Sequence, residues 1–147
     1  MVSIKHPDIL PHECMQPVRF REAGLRLGLV SASARPVIDA ILETVGLRRV
    51  FETIVSGDEV ARSKPAPDGY LMAARRLAAD PERCLAVEDT RTGVLAAKAA
   101  GMTVAVVPNL ASSEEDLSPA DLVIPSLDAL PKVLERNGNG NGNGHSH

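Results

Sequence analysis

Four residues in this chain have types and spacing suited to phosphate chemistry: Ser31, Lys64, Glu88 and Asp89. Ser31 stands in "LGLVSAS", where an apolar strand-like run ends on a hydroxyl just ahead of a helical pattern. There its hydroxyl and the amides of Ala32 and Ser33 could hold a phosphate against the positive end of a helix. It could equally cap that helix or close a tight turn. Lys64, in "SKPAPD", could set a point positive charge on a phosphate, or be a solvated loop lysine. Glu88 and Asp89 follow "CLAV". Two adjacent carboxylates at the end of a buried strand are costly to hold together. A Mg²⁺ ion would relieve that cost, because it takes one or two carboxylates with water and substrate phosphate. Asp89 could instead cap the following helix. A hydroxyl, a lysine and an acidic pair at one site would supply phosphate binding, charge neutralisation and metal binding, which are the needs of phosphoryl transfer.

Such a site needs elements that bring distant residues together, and the apolar pattern supplies them. Residues Leu25 to Val30 read as a strand. Ser33 is placed to cap a helix whose stripe is Val37, Ile38, Ile41, Leu42 and Val45, stopped by Gly46. Phe51 to Gly57 reads as a second strand, "SKPAPDGY" as a turn-rich loop, and Asp68 opens a helix through about Ala78. "RCLAVEDT" is a third strand, "RTGVLAAKAAG" a small-residue helix, "MTVAVVP" a fourth strand and "ADLVIPS" a short fifth. A last helix is expected over Leu127 to Glu135. Strands alternating with helices of 10–12 residues imply an α/β fold, a parallel sheet with helices on both faces. Ligands in such sheets bind beyond the carboxyl ends of the strands. Ser31, Ser56–Asp58 and Glu88–Asp89 all fall at those ends.

Composition agrees with this class. The chain has 147 residues, 44% of them apolar and only 2% aromatic, so the core must be built from Leu, Val, Ile and Ala. A formal net charge of -3, with no basic stripe, argues against a nucleic-acid partner. No run approaches the roughly 20 apolar residues of a membrane span. "MVSIKHPDIL" has no apolar signal core. Cys14 and Cys84 form no motif and read as free thiols. A cytoplasmic location is expected. Residues 1–24, with Pro7, Pro11 and Pro17, hold at most a short helix ending at Gly24. The tail "NGNGNGNGHSH" is low in complexity and expected to be disordered.

From about Leu25 to Val107 the chain resembles the core of a haloacid dehalogenase superfamily hydrolase. It is most similar to the branch containing β-phosphoglucomutase and phosphoglycolate phosphatase. "LGLVSAS" resembles the second family motif, with Ser31 as the phosphate-binding hydroxyl and Ala32 beside it. "SGDEVARSKPAPDGYL" resembles the third, with Lys64 as the catalytic, phosphate-binding lysine. "AVEDTRTGVLAAKAAGM" resembles the fourth, with Glu88 and Asp89 as Mg²⁺ ligands. A response-regulator receiver shares the sheet class but orders its acids before its hydroxyl and lysine, the reverse of this chain.

The resemblance implies a Rossmann-like three-layer core and a Mg²⁺-dependent phosphatase or phosphomutase acting on a small phosphorylated metabolite. In such enzymes an Asp nucleophile takes the phosphoryl group. That Asp belongs to an Asp-x-Asp motif, and no Asp-x-Asp occurs in this sequence. Asp8 and Asp58 are the alternative nucleophiles. The inserted cap domain of the family is also absent. The chain is therefore expected to be an N-terminally truncated core. Residues 1–24 would be a remnant of the cap-to-core connection, 25–136 a partial core and 137–147 a tail. In the family the first-motif strand lies between the Ser31-type and Glu88-type strands, so the sheet is expected to have a central gap. The functional expectation is a hydrolase core that is inactive alone, completed by a missing N-terminal segment or a partner chain. The alternative is a non-catalytic phosphate- and Mg²⁺-binding pseudoenzyme module.

Overall fold

The computed structural model describes residues 20–22 and 24–130. Asp8, most of the expected 1–24 connection, the end of the expected last helix and the 137–147 tail lie outside the described residues.

The elements run in the expected order. They are β1 (Gly28–Val30), α1 (Arg35–Val45), β2 (Thr53–Val55), α2 (Asp68–Arg76), β3 (Leu85–Glu88), α3 (Arg91–Ala99), β4 (Thr103–Val106) and β5 (Leu122–Val123). All pairings are parallel: β1 with β2, β3 with β4, and β4 with β5. The strands are shorter than the apolar runs suggested. Leu25 drops out of β1 because its amide closes a helical turn, donating to the Phe20 carbonyl at 3.0 Å. The expected last helix opens with a 3-10 turn over Leu127–Ala129, and Leu130 is helical.

The strands form two hydrogen-bonded sheets, β1–β2 and β3–β4–β5. Among the described residues no strand fills the gap between β1 and β3. Apolar packing nevertheless runs across it on both faces. Strand side chains alternate between faces with period two. Val30, Val55, Ala86, Val104 and Val106 pack with Tyr70, Ala73 and Ala74 of α2 and Val94 and Ala97 of α3. Leu29, Ile54, Val87 and Ala105 pack on the other face with Ile38 and Leu42 of α1. This is the three-layer arrangement, and its core is Leu, Val, Ile and Ala apart from a few larger side chains. Tyr70 is one of these and is fully buried.

Helix ends follow local chemistry, though not always at the expected residue. Gly46, at φ 72°, ends α1, as its freedom in left-handed space allows. Ala78 makes the same turn after α2 at φ 50°, donating to the Arg75 carbonyl at 3.0 Å, without that freedom. Ser33 does not cap α1. The residue before the helix is Ala34, whose side chain makes no capping bond. Asp89 does not cap α3 either: Thr90 does, its hydroxyl accepting the Gly93 amide at 3.3 Å.

Candidate functional site

The site forms at the carboxyl ends of β1, β2 and β3, as the topology requires. Ser31 follows β1 directly and is nearly buried, at 8% exposure. Its amide donates to the Val55 carbonyl at 3.0 Å, which carries the β1–β2 ladder one residue further. Its hydroxyl oxygen accepts the Ser33 amide at 3.1 Å and so closes the turn into α1. The Ser33 amide, one of the two donors suggested for a phosphate, is thus already engaged. The Ala32 amide has no acceptor among the described residues, and the Ser31 hydroxyl keeps its own proton to donate.

This turn is pressed against the chain after β2. The Gly57 amide donates to the Ser33 carbonyl at 2.9 Å. A Cβ on Gly57 would lie 2.2 Å from the Ala32 carbonyl oxygen, so only glycine permits the approach. Charged side chains fix Gly57 from behind. Glu59 accepts the Ser56 amide at 2.8 Å and the Arg76 guanidinium at 2.6 Å. The Ser56 amide, followed by Arg76, holds its carboxyl below the usual glutamate range. Asp58 accepts the Arg35 amide at 3.0 Å, providing from outside the helix the N-terminal cap that Ala34 cannot. This engagement gives Asp58 a structural role and argues against its use as a nucleophile.

Lys64 enters between the two sheets. Its side chain is only 6% exposed. It is therefore not a solvated loop lysine. Its Nζ donates to the Val30 carbonyl of β1 at 3.3 Å and to Glu88 Oε1 at 2.5 Å. It thereby spans the gap between β1 and β3. Lys64 shares a cleft with Ser31, Ala32, Ser56 and Gly57. The structure thus brings Ser31, Ala32 and Lys64 to one cleft and ties that cleft to Glu88.

Glu88 is buried at the end of β3. The Tyr70 hydroxyl donates to the same Oε1 that Lys64 holds. Oε2 is buried and has no hydrogen-bond partner. The carboxylate lies against the first turn of α3, where a Cβ on Gly93 would come within 2.0 Å of Oε2. Gly93 therefore leaves the room that the carboxylate fills. Asp89 is aligned separately, its Oδ2 accepting the Asn109 side-chain amide at 3.0 Å. Asn109 is itself fixed, since its Oδ1 accepts the Ser112 amide at 3.0 Å. The donor set suits a hard cation: two carboxylates, one with an orphaned buried oxygen. Among the described residues no cluster of three or more His, Cys, Asp or Glu side chains could hold a metal. The protein would supply two carboxylates, with the remaining positions left to water or phosphate.

Tyr70, Gly93 and Asn109 were not singled out from the sequence. "PDGYL" reads as helical packing and "RTGVL" as a small-residue stripe. The roles of Tyr70 and Gly93 appear only once β3 is packed under α2 and α3, and that of Asn109 only once β4 is paired beside β3.

Similarities to other proteins agree with this geometry. The sequence profile of haloacid dehalogenase-like hydrolases matches residues 17–101, more than half of the chain. Protein CbbY of Rhodobacter capsulatus is 41% identical over 76% of this chain and 50% of its own length. The crystal structure of CbbY from Rhodobacter sphaeroides in complex with phosphate superposes with a TM-score of 0.74 at 35% identity, covering 78% of this chain and 52% of that one. β-Phosphoglucomutase from Clostridium difficile superposes at 0.75 with 27% identity, covering 90% of this chain and 58% of that one. The chain thus spans about half the length of the relatives it matches. Among the described residues no helix is long and apolar enough to cross a membrane. Because the profile covers more than half of its residues, the chain belongs to the haloacid dehalogenase-like hydrolase family.

Proposed function

We propose that this chain is the phosphate- and Mg²⁺-binding part of a phosphatase or phosphomutase acting on a small phosphorylated metabolite, and that it does not turn over alone. The observation that carries this reading is the placement of Lys64, bonded at once to the β1 carbonyl beside Ser31 and to Glu88. A phosphate at the β1 end would take the Ser31 hydroxyl and the Ala32 amide as neutral donors. Lys64 would add a fixed positive charge, already desolvated and therefore effective. Glu88 and Asp89 would hold Mg²⁺, which when bound neutralises charge on the transferring phosphoryl group.

Turnover by the route of complete relatives needs an Asp-x-Asp pair, and this sequence has none. The related proteins named as phosphatases include hexitol phosphatase B of Escherichia coli, which supports the reaction class. Isothermal calorimetry with inorganic phosphate and Mg²⁺, together with a p-nitrophenyl phosphate assay, tests the proposal. Saturable binding of both ligands without turnover is the expected result. Absence of binding by the folded chain would refute it, as would turnover that disappears in Asp58→Asn. A pseudoenzyme working with a partner chain gives the same binding result. It is separated by adding a fragment bearing an Asp-x-Asp strand, which restores turnover only if the chain is the core of an enzyme.

A further inference from the structure

We infer that Tyr70 is a positioning residue for the cation end of the site, an inference that rests on reading Glu88 and Asp89 as Mg²⁺ ligands. Tyr70 is the third residue of α2 and is fully buried. A phenylalanine would fill that volume equally well, so packing alone does not call for the hydroxyl. The hydroxyl donates to Glu88 Oε1. The Lys64 ammonium donates to the same oxygen at 2.5 Å and sits 5.1 Å from the centre of the Tyr70 ring. One carboxylate oxygen therefore carries two donors, while the other, buried against Gly93, carries none.

That asymmetry is what a ligand carboxylate needs. Lys64 supplies the charge that makes a buried Glu88 tolerable. An ammonium on a flexible stem does not set the rotation of the carboxylate about its last bond. A phenol on a rigid ring, locked in a core of Ala73, Ala74, Val94 and Ala97, does. Tyr70 pins Oε1 and so fixes which oxygen stays without a protein donor. This is how hydrogen-bonding partners behind a metal ligand orient it, and losing one typically weakens metal affinity by 10- to 100-fold.

The chain has one tyrosine and no tryptophan, so its tyrosine fluorescence reports Tyr70 alone. Two measurements on the purified chain test the inference. In Mg²⁺ calorimetry Tyr70→Phe should keep its fold by circular dichroism yet bind Mg²⁺ about tenfold or more weakly. Equal affinity in Tyr70→Phe and wild type overturns the inference, because a purely structural hydroxyl would lower thermal stability and leave Mg²⁺ affinity unchanged. Should Tyr70→Phe fail to fold, wild-type tyrosine fluorescence during the Mg²⁺ titration decides. A saturable change with the calorimetric midpoint supports the role, and a flat signal while heat reports binding overturns it. A folded wild-type chain that takes no Mg²⁺ overturns the inference together with the cation reading, and that outcome is visible in the wild type alone.

Discussion

The serine end of the site, at β1 and β2, and the acidic end, at β3, are held in opposite ways. Around Ser31 the backbone does the holding. The turn through Ala32 and Ser33 lies on Gly57, and half-exposed charges brace Gly57 from outside. Arg35 and Arg76 are 41% and 39% exposed and Glu59 is 28% exposed. Around Glu88 side chains do the holding, with Lys64 at 6% exposure and Glu88 at 0%. Exposed ion pairs are weak and screened by salt. A buried pair is costly to break because the remaining charge cannot recover its water. The charged brace of the serine end is therefore sensitive to salt, while the buried pair of the acidic end is not.

The largest effect should come from breaking the buried pair. Lys64→Met leaves Glu88 desolvated and unpaired, and should cost about 3–5 kcal/mol, nearly independent of salt. That is a large fraction of the roughly 5–15 kcal/mol that holds an ordinary domain folded. Urea unfolding at two salt concentrations measures it, and a loss below about 1 kcal/mol would show that Glu88 is not desolvated as described.

A smaller effect is expected at the serine end. Glu59→Gln weakens the bonds to the Ser56 amide and Arg76, and should cost about 1–2 kcal/mol at neutral pH and less at high salt. The pH dependence has a definite sign. The carboxyl of folded Glu59 titrates below its ordinary 4.5. Its contribution is therefore fully present above that pH and is lost as pH falls through the folded value. Glu59→Gln should accordingly flatten the acid limb of the stability profile; an unchanged limb would remove Glu59 from the brace.

The smallest effect lies outside both ends. Ala78→Gly relieves a positive φ after α2 and should stabilise by about 0.5–1 kcal/mol without altering ligand binding. A destabilised variant would show that the Ala78 methyl group contributes more than the strain costs.

Much of this was readable from residue order. Strand–helix alternation was plain because buried parallel strands are apolar runs and helices carry stripes. Gly46 ended α1 where the pattern stopped. Ser31 and Glu88 could be placed at strand ends because the pattern fixed where those strands finish. Caps were read less well. Ser33 and Asp89 are good capping types, yet Asp58, 23 residues away, serves α1 and neighbouring Thr90 serves α3. A cap from another loop has no local signal. Strand length was overestimated because an apolar run shows which residues want burial, whereas a ladder needs a partner, and among the described residues β1 has one on a single side.

What the sequence by itself determined is the type and order of the elements and the kinds of groups at their ends, because these follow from periodicity and short-range backbone chemistry. Tertiary structure alone decided which groups meet. It put Tyr70 on the same oxygen as Lys64, left the other oxygen of Glu88 without a donor, fitted Gly93 to its carboxylate and joined Asn109 to Asp89. These contacts link residues 18 to 24 positions apart, or a glycine to a carboxylate on the preceding strand. The packing of α2 and α3 over the strands brings Tyr70 and Gly93 to Glu88, and the pairing of β3 with β4 brings Asn109 to Asp89.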